Sequence, residues 1–286
     1  MGFVAYIGLM LALGTLLGLS AHLYWQGSRL LMPATGGLAL LAAYAFALSL
    51  NAGFHIGVSV AIAVLTGSAL GLLLPLASHG VSRAEFMLLG LALVEIIHRA
   101  AYILSSITGG TNGLSIKDTP WVPPVAGASI AAVTAVLAVL VAVLGWRSRR
   151  GAALRIVGAS PRWAALLGIN IRKYELVIGA IGGSLAAIAG ISYALTIQYI
   201  HPDDLGMTMG LPALAVGLAI RPRHMLLDVI TLTLGLFGLR ELLRFIGTSA
   251  TRFAFHDLVV GVIIIAVALR LSQLTDKEDE HLWERL

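Results

Sequence analysis

Three groups of residues in this chain have types and spacing that could do chemistry. The first is Glu95-Ile-Ile-His98-Arg99, three ionisable side chains set in an otherwise apolar run. On a helix Glu95 and His98 share a face, and Glu95 with Arg99 makes an i, i+4 pair. Ionisable groups at membrane depth are expensive and face a bundle interior. Two readings follow: the three line a polar pathway, or they pair with one another as a buried structural cluster. A metal site needs more ligands than Glu-x-x-His supplies, so no metal ligands are assigned. The second group is Thr108-Gly109-Gly110-Thr111-Asn112-Gly113. Glycine-rich backbone can present N–H groups to an anion; the same residues also suit an ordinary outer turn or a surface for a soluble protein. The third is the arginine-rich stretch 147–173. No G-x-x-x-x-G-K-[ST] phosphate loop occurs anywhere, and the chain has no cysteine for a disulfide or thiolate site. No nucleophile, base and ligand set converges as an enzyme requires, so no catalytic residue is assigned. Glu95 is the one deep acid, which argues against an ion-coupled secondary transporter.

The elements that must carry these groups are set by composition. Of 286 residues, 58% are hydrophobic and 12% charged, with a mean hydropathy of +0.93. Soluble domains carry about 25% charged residues, so a soluble enzyme, a nucleic-acid binder and a disordered chain are excluded. At about 20 residues per span the length allows roughly eight to ten transmembrane helices. Nine apolar stretches run over about 3–24, 31–50, 55–77, 85–105, 124–145, 174–199, 207–220, 225–246 and 255–272. The first lacks the basic n-region of a cleaved signal and reads as a retained span. Pro33, Gly36 and Gly37 break the second near its start, and Pro212 interrupts the short seventh. Such backbone is tolerated at depth only inside protein or beside a water-filled cavity. The expected fold is all-α: a polytopic transmembrane helical bundle forming a single domain over 1–286.

Orientation follows from charge. Arg147, Arg149, Arg150, Arg155, Arg162, Arg172 and Lys173 lie together with no acid before Glu175, which places this loop in the cytoplasm. Alternation then puts Arg29, Arg83, Arg221, Arg223, Arg270, Lys277 and Arg285 on the same side. Lys117, Arg240, Arg244 and Arg252 fall outside. The net charge of +5 and pI near 9.8 are explained by this asymmetry rather than by nucleic acid. The turn His201-Pro202-Asp203-Asp204 reads as solvated outer surface, and Asp228 as an interfacial ion pair with Arg223 and His224. Within the basic loop, Ser160-Pro161 is an N-cap followed by proline at N1, and Gly168 suits the C′ position. Residues 152–157 read as a second short helix ended by Gly158. Exposed apolar and small side chains, Trp163 among them, suit docking to a protein or to anionic headgroups.

The stretch Arg149-Arg-Gly-Ala-Ala-Leu-Arg-Ile-Val-Gly-Ala-Ser-Pro-Arg-Trp-Ala-Ala-Leu-Leu-Gly168-Ile-Asn170 resembles the cytoplasmic coupling segment of bacterial ABC importer permeases. The following Lys173–Gly190, with its run of small residues, resembles that family's next span. Glu95-Ile-Ile-His98-Arg99 and Ile107-Thr-Gly-Gly-Thr-Asn-Gly-Leu114 are similar to the "E-I-[VI]-R" and "L-T-G-G-x-x-G-L" of the M-type branched-chain amino-acid permeases. Two other family motifs are absent. Leu31–Tyr44 stands in place of "Q-L-S-L-G-H-A-A-F-F-G-I-G-A-Y", and Gly217–His224 in place of "G-G-x-G-[ST]-x-x-G-P". The resemblance implies a permease subunit of a binding-protein-dependent importer, moving substrate inward by ATP-driven alternating access. It implies coupling to the ATPase through Gly151, Arg155, Ser160, Pro161, Ala164, Ala165, Gly168 and Asn170. It also implies a substrate pathway near Glu95, His98, Thr108, Gly109, Gly110, Thr111 and Asn112. Branched-chain or related amino acids are the implied substrates, with urea, short amides or simple sugars as alternatives. The implied partners are a second, related permease, two ATPase subunits that carry the ATP and magnesium, a soluble substrate-binding protein and membrane lipid. The implied location is the bacterial inner membrane.

Overall fold

The chain is described by a computed structural model over residues 3–28, 31–77, 83–116, 123–221 and 224–238, with 258, 261 and 262. Eleven helices follow one another among these residues: α1 (Phe3–Ser28), α2 (Thr35–Asn51), α3 (Ile56–Ala77), α4 (Arg83–Ile103), α5 (Ser105–Thr108), α6 (Pro124–Arg147), α7 (Arg149–Ala159), α8 (Pro161–Leu166), α9 (Ile171–Ile197), α10 (Gly206–Ala219) and α11 (Met225–Thr233). A π-helical turn, Leu234–Gly238, extends α11. The two-residue strands β1 (Leu114–Ser115) and β2 (Tyr199–Ile200) pair antiparallel. Five helices are long and apolar enough to cross a membrane: α1, α3, α4, α6 and α9. α2, α10 and α11 are shorter apolar helices. The expected ninth stretch, 255–272, lies almost wholly outside the described residues, as do Arg29, Lys117, Arg223, Arg240, Arg244 and Arg252.

α9 and α1 form the centre, and α2, α3, α6 and α10 pack around them. The centre of α1 is buried from Leu9 to Tyr24, whereas α3, α4 and α6 leave long apolar faces open. Small residues make the closest contact. Gly67 and Gly71 of α3 face Gly179 and Gly183 of α9, and a Cβ on Gly71 or Gly183 would collide with the opposite backbone carbonyl. Lipid offers no hydrophobic drive between helices, so close backbone approach and side-chain-to-carbonyl bonds hold them instead. Tyr24 Oη–H donates to Gly179 O at 3.0 Å, and Ser20 Oγ–H to Gly182 O at 2.7 Å.

The described helices alternate in direction as the charge pattern predicts. α6, α7, α8 and the start of α9 gather at one end, where Gly27 of α1 meets Ile178. At the other end Asn51 of α2 donates to Ser115 O and Gly127 of α6 meets Thr196 of α9. The second apolar stretch becomes helical only after Pro33, as its sequence suggests. α10 differs from expectation: it runs unbroken through Pro212. Its shortness arises because Gly206 starts it deep in the bundle, where Gly36 abuts the Gly206 carbonyl and Val94 of α4 lies alongside. The starts of α2 and α10 therefore meet beside the middle of α4.

Candidate functional site

α8 is built as the sequence predicts. Ser160 Oγ accepts from the Trp163 N–H at 3.4 Å, and proline opens the helix. Gly168, at φ +73°, closes it. Gly168 N–H bonds Ala165 O at 3.0 Å and Ile169 N–H bonds Ala164 O at 2.9 Å, a Schellman closure. Asn170 Oδ1 then caps α9 by accepting from Lys173 N–H at 3.1 Å. Gly158 does not end α7, which continues to Ala159. Gly158 instead lies against the Gln26 carbonyl of α1, an approach that leaves no room for a Cβ.

This segment has two faces. Gly151 is buried where a side chain would strike the Trp146 backbone. Arg155 turns back too: Nη1–H donates to Trp146 O at 3.0 Å and the guanidinium lies 5.8 Å from the Trp146 ring centre. Ala164 is fully buried. Trp163, Leu166 and Leu167 are 64–77% exposed, and Arg162 and Ala165 are open beside them. Of the residues that the sequence groups together, Gly151 and Ala164 thus face the chain itself, Arg155 is exposed while bonding back to Trp146 O, and the outward surface is Arg162, Trp163, Ala165, Leu166 and Leu167.

At the opposite end the three ionisable residues of α4 separate. Arg99 Nε–H donates to Glu95 Oε1 at 2.6 Å, the expected i, i+4 pair. Its side chains are 71% and 44% exposed, so this is no buried cluster. His98 leaves the pair and meets Asp203 Oδ1 at 2.7 Å across the α9–α10 connection. Tyr102 Oη–H donates to Asp203 Oδ2 at 2.8 Å, and Asp203 N–H donates to His201 Nδ1 at 3.3 Å. Asp203 in the turn at 201–204 is exposed, as expected, and is also tied to α4. Burial alone would push the Asp203 carboxyl upward, but bonds from His98 and Tyr102 and the neighbouring His201 outweigh it and hold it below the usual range. An ionised carboxylate only accepts, so His98 Nε2 carries the shared proton. Beside this network a cavity of about 240 Å³ is lined by Glu95, His98, Asp203, Met207 and Thr208, with Val94 at its apolar wall.

The glycine-rich turn is closed rather than open to an anion. Gly109 N–H bonds Ser105 O, Gly110 N–H bonds Thr108 Oγ1, Asn112 N–H bonds Gly109 O and Gly113 N–H bonds Gly110 O. Tyr199 Oη–H donates to Asn112 O at 2.8 Å. Gly109, Gly110 and Gly113 all take positive φ, which the tight turn requires. Four backbone donors are spent internally, so these four do not form a nest. Thr111 sits on the same turn, exposed.

Asp228 pairs as expected for its position but with a different arginine. Arg221 holds it through Nε, Nη2 and its own backbone N–H at 2.8–2.9 Å. The sequence sets Asp228 beside His224 and Arg223, of which Arg223 lies outside the described residues; the extended backbone at Ile220 brings Arg221 to Asp228 from seven residues away. His22, a buried residue the sequence gave no reason to single out, holds Gly217 O through Nδ1 at 3.0 Å and lies 5.7 Å from Trp146. No group of three or more His, Asp or Glu that could hold a metal occurs among the described residues.

A family model for the permease component of the branched-chain amino acid transport system matches residues 3–268. The chain belongs to this family. A solved chain described as an inward-facing conformation of a metal-chelate type ABC transporter shares the fold at 18% identity and a TM-score of 0.53. That likeness covers 92% of this chain and 85% of the other. No curated protein matches. The permease is thus an all-α, multi-pass membrane subunit of an ABC transporter. Membership implies association with ATPase subunits and with a further permease, and in this family ATP hydrolysis belongs to the separate subunits.

Proposed function

We propose that this permease carries branched-chain or related amino acids inward, together with a second, related permease, two ATPase subunits and a soluble binding protein in a bacterial inner membrane. The observation that carries the reading is the Glu95–Arg99 pair, exposed on a helix otherwise fit to cross lipid. A charged pair cannot face hydrocarbon cheaply, so this side of α4 is covered by the partner permease or by the solute path. The cavity beside it joins Glu95, His98 and Asp203 to apolar walls. That mixture suits a small solute with charged ends and an apolar body. Thr108, Gly109, Gly110 and Asn112, whose own amides are bonded within this end, shape its rim together with Thr111.

At the arginine-rich end, Trp163, Leu166 and Leu167 form the surface on which an ATPase rests. A helix of six residues is marginal by itself, and its capped ends hold it ready for a partner. The chain holds no cofactor in this reading; ATP and magnesium belong to the ATPases. The test is a thermal-shift screen of the cognate binding protein against amino acids, amides and sugars, followed by uptake in liposomes holding the full complex. Amino-acid stabilisation with ATP-dependent accumulation is expected. A response to sugars or amides alone would replace the substrate, and outward movement would overturn the direction.

A further inference from the structure

We infer that the cavity between α6 and α11 binds the phosphodiester headgroup of an anionic phospholipid. It measures about 230 Å³ and is lined by Trp146, Arg147 and His224, with Val143 and Leu227 among its apolar walls. No acidic residue is among its described lining residues. Asp228, the acid nearest His224 in sequence, is engaged by three bonds from Arg221. Arg147 at the rim therefore selects a negatively charged occupant.

The apolar surroundings select a lipid over a dissolved anion. Leu140 and Leu144 on α6 are 46% and 67% exposed, and Leu227, Ile230 and Leu234 along α11 are 51–64% exposed. Both rows run from the cavity toward the middle of the spans, since Arg147 ends α6 and His224 precedes α11. Free phosphate would use the polar mouth alone, whereas a phospholipid uses the mouth and both rows. This end is also the one that the basic residues assign to the cytoplasmic leaflet, where anionic lipids attract juxtamembrane arginines.

The experiment is native mass spectrometry of the intact complex released from membranes containing phosphatidylglycerol and phosphatidylcholine. Preferential retention of phosphatidylglycerol is expected, with a roughly fivefold loss in Arg147→Gln. The exposed His224→Gln should also lower retention at unchanged complex mass. Equal retention of the two lipids would overturn the inference, as would wild-type retention in both variants. Displacement of the lipid by millimolar inorganic phosphate would overturn its assignment to a lipid.

Discussion

In the segment from α7 to the start of α9, and at the Asp228 turn, the polar contacts join near neighbours: Arg155 reaches Trp146 across nine residues and Arg221 reaches Asp228 across seven. At the opposite end His98 and Asp203 are 105 residues apart, and Tyr199 and Asn112 are 87 apart. The first end is organised by local geometry, through caps at Ser148, Ser160 and Asn170. The second exists only once α4, the glycine-rich turn and the α9–α10 connection have come together. The two ends should therefore fail differently, the first by loss of single buried contacts and the second by gradual loosening.

The largest effect is expected at Ala164. Glu at this fully buried position places a charge in close packing, at a cost of several kcal/mol. Ala164→Glu should strongly reduce folded protein in the membrane. Leu166→Glu, two residues on and 77% exposed, should leave stability within about 0.5 kcal/mol yet weaken ATPase co-purification. Membrane abundance and pull-down yields check both. Equal abundance of the two variants would mean that the inward and outward faces of α8 are misassigned.

An intermediate effect is expected at Arg221. Its removal takes the two side-chain donors, Nε and Nη2, from the Asp228 carboxylate, which is only 8% exposed and keeps just the backbone N–H of residue 221. Arg221→Ala should lower the melting temperature of the purified complex by several degrees. Arg221→Lys should fall between, because an ammonium cannot reproduce the forked pair of bonds. A variant as stable as the parent would show that this end tolerates lost contacts as well as the other.

The smallest effect belongs to Asp203, which is 58% exposed. Asp203→Asn should cost less than about 1 kcal/mol at neutral pH, as water screens the pairing. Its carboxyl is held below the ordinary range, so its contribution is complete above the unfolded value and disappears as pH falls through the folded one. Melting curves of parent and variant should therefore differ at pH 7 and converge below about pH 4. Convergence on raising the pH instead would reverse the assigned sign.

The sequence was most legible where chemistry is local. Ser160-Pro161 and Gly168 specify the ends of α8 without reference to the rest of the molecule, and the broken start of the second span is written in Pro33 and Gly36. The Glu95–Arg99 pair follows from helix spacing alone. His98 illustrates the limit. Face arithmetic along α4 looks only three or four residues away, so it grouped His98 with Glu95, while its partner waited on a turn beyond α9. Gly158 shows another limit. Glycine ends helices and also permits backbones to touch, and only the position of Gln26 distinguishes the two uses.

That contact between Gly158 and Gln26 has a mechanical consequence. Side chains between two helices act as compliant bearings, since a rotamer can yield before a backbone moves. Between α7 and α1 at this point there is no such bearing. A displacement of α7 would therefore bear on the end of α1 backbone to backbone, and α1 runs through the centre of the bundle against α9 and α10. A push at the arginine-rich end that moved α7 would meet α1 here without a side chain to yield first.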